Sequence, residues 1–403
     1  MKRQMTLLVA LMGLVAIIAG CAKPVARCVS PEDNPTHHYM RGMELLEQGK
    51  FTDGAAKFER ALYCDEKFSP AHGGLAIAVA ENARDKKEPG YRQVDVDKSL
   101  EHLDRAWKHA DSKEEKFAYY MASMRVYTAL KTNKWLKEVV KSHDDAMDLK
   151  VDEQKLLYYD GREAAPYFLG VAYFDAREFK KARNKFEDVL GMKRDSKWNE
   201  KADRGWKRVD KILRAMAGIT LGDVGKEIAV QDSVDRGDMA ALLADELKID
   251  KLFAGRIPVK SEIEKLKAEF IPADILNHHF KEEVLLMMKW GVRGLEPQYD
   301  ATTRAYLFKP DAGMNRKEFA LVIEDVLEKL TGDEGIATAY IGQERSPFPD
   351  VPSTVPWYNA VMNVTTRNLM ETEMSGEFRP NDLVDGAEAI LAIRVLRQRI
   401  NIY

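Results

Sequence analysis

Through most of the chain apolar residues return every three or four positions, the period of a helix with one buried face. Between residues 39 and 64 they mark two helices, interrupted at Gln48-Gly49-Lys50-Phe51. Comparable stretches cover 99–110, 113–130, 135–149 and 198–217, and near the C-terminus 360–369 and 385–399. The pattern predicts an all-α fold. Breaks are expected where Gly and Pro gather: 85–97 around Lys86-Lys87-Glu88-Pro89-Gly90, 254–260, and 331–347. One run is apolar without a polar face. It extends from Leu7 to Ile18, follows Lys2 and Arg3, and ends in Ala19-Gly20 before Cys21, which is the order of a secretory signal.

A longer period is superimposed on the C-terminal half. Ile228 to Arg236, Phe308 to Arg316 and Phe378 to Gly386 are each eight residues apart, and Phe308-Lys309-Pro310 matches Phe378-Arg379-Pro380. Repetition at this length predicts a repeat architecture. The third copy opens with Phe348-Pro349-Asp350-Val351 and the second with Ala273-Asp274-Ile275. The second also carries about seven extra residues between Val292 and Arg316.

These residues resemble S-layer homology (SLH) repeats over roughly 212–400, with units at about 212–256, 270–330 and 346–400. The resemblance implies a pseudo-threefold helical domain whose grooves between repeats bind peptidoglycan or an anionic wall polymer. Arg236 and Arg316 stand at the family's helix-start arginine, and Gly386 stands where that arginine is missing. Read from the residues alone, Asp235 with Asp238, Asn315 with Glu318 and Asp385 with Glu388 have capping-box spacing, which starts helices. A helix N-terminus carrying an arginine fork is also suited to carboxylates. The expected wall-polymer residues are therefore Arg236, Asp238, Arg316 and Glu318, with Trp290 and Trp357 beside them.

The order Gly42, Leu45, Gly49, Phe51, Phe58, Ala61, and again Gly170, Tyr173, Phe179, Ala182, Phe186, resembles the tetratricopeptide repeat (TPR). Small residues stand where paired helices touch, and aromatics fill the gaps between pairs. Such units bury their apolar faces only when stacked, so 36–211 is expected to form a helical solenoid able to hold a protein partner.

Ile18-Ala19-Gly20-Cys21 resembles the bacterial lipobox. That implies a signal peptide at 1–20, lipid on Cys21, a tether over 21–35, and anchoring to a membrane without spanning it. Ala22 after the cysteine favours the outer membrane by the same resemblance. In an oxidising compartment Cys28 and Cys64 either form a disulfide or remain two thiols.

Charge and motifs narrow the function. Removing Lys2 and Arg3 takes the net charge from −3 to −5, which argues against nucleic acid as a partner. No phosphate loop, dinucleotide fingerprint, nucleophile elbow or zinc-type spacing is present. His37-His38 and His278-His279 are adjacent pairs, pointing about 100° apart on a helix and ill-placed to share a metal ion. Asp144-Asp145 and Glu282-Glu283 read as solvated helix faces. The expectation is a protein without catalytic residues, metal or cofactor: an envelope lipoprotein tethering membrane to wall. The alternative is an assembly or secretion adaptor whose solenoid captures a peptide or an outer-membrane protein.

Overall fold

The computed structural model describes residues 28, 30–84, 86, 88–254 and 270–399. The signal run, Cys21, the tether up to residue 27 and the predicted break at 255–260 lie outside them. The described chain is mostly helical, and it divides between Trp206 and Lys207 into two units.

In the first unit α1 (Pro35–Glu47), α2 (Phe51–Cys64), α3 (Ser69–Arg84), α4 (Pro89–Lys108), α5 (Lys113–Leu130), α6 (Trp135–Asp148), α7 (Ala164–Asp175) and α8 (Phe179–Gly191) each pack on the next. Glycines set the closest approaches. The Phe58 ring lies against Gly42 and Gly74, where an added Cβ would meet it at 2.5 and 2.3 Å. The same device recurs where Phe186 meets Gly170 and Gly205, at 2.7 and 2.8 Å. Helix α4 begins inside the segment predicted as a loop, because Pro89 sits in its first turn, where a missing N–H costs nothing. Helix α3 has thirteen of its sixteen residues buried, so it has no polar face for periodicity to reveal.

A disulfide joins Cys28 to Cys64 at the end of α2. Beside it Arg60 donates two hydrogen bonds to Asp33, 2.9 and 2.6 Å long, and His38 lies 2.8 Å from the same carboxylate. Bonds from Arg60 and then His38 pull the Asp33 pKa from 3.8 to about 2. A depressed carboxyl contributes stability above its unfolded pKa and loses it as pH falls through the folded one. Asp33→Asn is therefore expected to flatten the acid dependence of the melting temperature between pH 3.8 and about 2. Equal acid dependence in the variant and the wild type would contradict this.

Helix α9 (Lys197–Ala215) runs across the division. The second unit continues with α10 (Asp223–Ile228), α11 (Arg236–Ala241), α12 (Ile249–Ala254), α13 (Lys281–Lys289), α14 (Arg316–Thr331), α15 (Tyr358–Thr366) and α16 (Gly386–Arg399). The all-α expectation needs one correction, an antiparallel hairpin of β1 (Gln298–Asp300) and β2 (Ala305–Leu307) with Tyr299 opposite Tyr306. It is built from the extra residues of the second copy. Asp300 fixes its turn by accepting from the amides of Thr302 and Thr303 at 3.1 and 2.9 Å.

At the centre of this unit three buried residues form a closed ring of backbone hydrogen bonds. Val234 N–H donates to Val384 at 2.8 Å, Val384 to Met314 at 3.0 Å, and Met314 back to Val234 at 2.9 Å. Each lies two positions before a helix start, at Arg236, Arg316 or Gly386. The eight-residue register thus becomes a three-way backbone junction, fully buried at all three positions.

Candidate functional site

Two arms of the junction are clamped by an aspartate that the sequence repeats. Asp274 accepts from the amides of Phe308 and Lys309 at 3.1 and 2.6 Å, and Asp350 from those of Phe378 and Arg379 at 2.9 and 2.6 Å. Lys309 and Arg379 both occupy the left-handed region, with φ of 57° and 56°. A carboxylate suits this position because it accepts two N–H groups from one tight turn.

From the start of α11, Arg236 crosses to the second copy. It donates to the carbonyls of Phe308, Gly294 and Glu296 at 2.8, 2.7 and 2.9 Å, and its guanidinium lies 4.8 Å from the Phe308 ring centre. Arg316 repeats the reach into the third copy. It donates to the carbonyls of Phe378 and Glu371 at 2.6 Å each and pairs with Glu388. Burial lowers the Arg236 pKa and raises that of Glu388, where the Arg316 charge opposes the shift.

The structure places the helix-start residues inside the fold. Arg236 and Arg316 are 7% and 4% exposed and hold one copy to the next through backbone carbonyls. Asp238 and Glu318 complete capping boxes with Asp235 and Asn315 and are committed to starting helices. Trp290 is 2% exposed, with its ring N–H on Asp250 at 3.0 Å, so it presents no face to a sugar. Trp357 is half-buried at the N-cap of α15.

What opens to solvent beside the junction is a groove of about 630 Å³. Lys211, Arg214, Arg379 and Arg394 line it together with Asp232, Glu371, Glu373, Asp382, Asp385 and Glu388; Arg316 closes its floor, and neither tryptophan reaches it. Its charges are interlocked. Lys211 pairs with Asp385, and Arg379 with Glu373 and Asp382 at 2.8 and 3.3 Å. With five cations against six acids among the lining residues, the groove offers donors and acceptors of both signs. Such a surface suits a polymer carrying hydroxyls, carboxylates and amines better than a plain polyanion.

Of the residues expected to hold a wall polymer only Arg316 lines this groove, joined by Asp385 and Glu388 of the third capping-box spacing. Lys211, Glu371 and Asp382 carry no motif, Arg379 appears only inside the repeated Phe378-Arg379-Pro380, and the fold alone brings the four together. The histidine pairs serve locally: His38 meets Asp33, and His278 lies 3.6 Å from Asp311. Among the described residues the one group with metal-ligand spacing is Cys28, Asp33 and Cys64, and its sulfurs are bonded to each other.

The family model of the S-layer homology domain matches residues 347–390. No curated protein and no solved structure matches the chain. SLH domains typically bind secondary cell-wall polymers or peptidoglycan, which associates the chain with the cell surface or envelope. Among the described residues no helix is long and apolar enough to cross a membrane.

Proposed function

We propose that the chain is a non-enzymatic envelope protein that binds peptidoglycan or a wall-linked polymer through the groove beside its three-way junction. The observation that carries this reading is that Glu371, Glu373, Arg379, Asp382, Asp385 and Glu388 all fall inside the segment matching the SLH domain and all line one groove. The junction is read here as three SLH-like repeats, the first and second held by arginine and the third by glycine. The first unit is read as a TPR-like stack that binds protein. Lipid on Cys21 would hold the other end in the outer membrane, so that attachment at both ends makes a weak wall contact sufficient.

The test is co-sedimentation of the soluble chain, beginning at Ala22, with purified sacculi. Wild type is expected to pellet with them. Lys211→Glu/Arg379→Glu, which reverses two half-exposed cations of the groove, is expected to bind at least about tenfold more weakly with unchanged circular dichroism. A wild type that stays in the supernatant overturns the reading.

One observation favours the adaptor reading for the first unit. A largely apolar pocket of about 240 Å³ there is lined by Tyr39, Phe68, Pro70, Leu156, Tyr158 and Tyr159, a composition that takes an apolar side chain of a peptide.

A further inference from the structure

The β1–β2 hairpin sets the second copy apart from the other two, and its outward face takes no part in the junction or the groove. Tyr299 and Tyr306 stand directly across the strands from each other, 57% and 55% exposed, with ring centres 5.5 Å apart. Phe270, 44% exposed, extends the row with its ring 6.0 Å from that of Tyr306. Exposed apolar side chains gathered in this way mark a binding surface more often than single ones do.

The row is held in place. Asp300 locks the turn at one end of the hairpin. At the other end β2 runs directly into Phe308, which is fully buried and whose amide Asp274 holds. A backbone fixed in advance lowers the ordering cost of binding.

Size and chemistry choose the occupant. Three aromatic side chains of roughly 150–250 Å² each, about half exposed, offer on the order of 300 Å². A stable protein interface needs about 800 Å² per partner, so a second copy of the chain or a folded partner is too large for this face alone. Exposed Thr302 and Arg304 in the turn add polar groups at the end of the hairpin. Beside Phe270 opens a mostly apolar crevice of about 170 Å³ that includes Met287, Leu295 and Pro297. A pyranose has an apolar C–H face for a ring and hydroxyls for the polar rim, and an acetamido group would place a methyl in the crevice.

We propose that this face binds an N-acetylated polysaccharide strand, with one sugar stacked on a tyrosine ring and its neighbour meeting the second ring, whose plane stands at 65° to the first. The choice of a glycan rests on the wall-binding reading above, and the hairpin adds to it a second contact on the same unit.

The probe is a soluble β-1,4-linked tetramer of N-acetylglucosamine, titrated onto the chain beginning at Ala22 and followed by saturation-transfer NMR. Tyr299→Thr/Tyr306→Thr, which keeps residues that favour strands, is expected to bind at least about tenfold more weakly than wild type. Tyr299→Phe/Tyr306→Phe, which keeps the rings, is expected to stay within about twofold. No transfer to the tetramer from the wild type, or equal binding by the threonine variant, overturns the proposal. Sacculus co-sedimentation read in parallel separates the two claims. Sacculi bound without tetramer binding removes the hairpin site alone, whereas tetramer binding without sacculus binding supports the hairpin and removes the groove.

Discussion

Gly386→Ala is expected to open the three-way junction, at a cost of at least about 4 kcal/mol, a loss reserved for substitutions that a core cannot absorb. A Cβ at this position would lie 1.7 Å from the carbonyl oxygen of Ile228 and 2.7 Å from its carbon. Both are backbone atoms, so no side chain can swing away. The glycine amide also donates to Gln231 at 3.0 Å, fixing the approach. In the first two copies an arginine spans the gap to the carbonyl of Phe308 or Phe378. In the third, the carbonyl of Ile228, their counterpart in the eight-residue register, comes to the helix start itself. Gly386 is therefore a direct backbone contact in place of an arm, and Gly386→Arg, which restores the repeat pattern, should be at least as damaging. Native-state hydrogen exchange at the amides of Val234, Met314 and Val384 reads the effect. Wild-type protection in Gly386→Ala would refute this account of the closure.

Arg316→Ala is expected to cost about 3–5 kcal/mol, the range for removing one partner of a buried ion pair. It strands Glu388, which is 9% exposed, and leaves the carbonyls of Phe378 and Glu371 without their donor. The loss should depend on pH. Burial already raises the Glu388 pKa above 4.5 while the Arg316 charge opposes the rise. Without that charge the carboxyl goes up further, so the fold favours its protonated form. Stability is then poorest at neutral pH and recovers as pH falls through the raised pKa toward 4.5. Urea unfolding of the variant at neutral pH and at about pH 5 measures this, and Glu388→Gln in the same background should restore part of the loss at neutral pH. Arg236→Ala strands no acid among its hydrogen-bond partners, all of which are carbonyls, and should cost less. A loss in Arg316→Ala that ignores pH would place its origin elsewhere.

Some of this architecture is written in local spacing. Helices with one buried face were readable because their period exposes the other face, as in α2 or α6. The eight-residue step to Arg236, Arg316 and Gly386 marked three equivalent positions, and the acid three places beyond each N-cap marked where helices begin. The direction in which those arginines point was not readable. The residues that mark a helix start are the same whether the guanidinium reaches solvent or a neighbouring carbonyl, and the receiving carbonyls lie 55 to 72 residues away. The groove stayed hidden for a related reason: Lys211 meets Asp385 across 174 residues. Helix α3 was invisible to periodicity because both its faces are buried, and the hairpin because two three-residue strands give too short an alternation.

The central claim is that the groove beside the junction is where the wall polymer sits. Hydrogen–deuterium exchange of the chain beginning at Ala22, with and without solubilised muropeptides, tests it most directly. The account predicts added protection at residues 207–217 and 371–394, around Lys211, Glu371, Arg379 and Arg394. Protection confined to the first unit, around Tyr39 and Tyr158, would contradict it and assign ligand capture to the apolar pocket there.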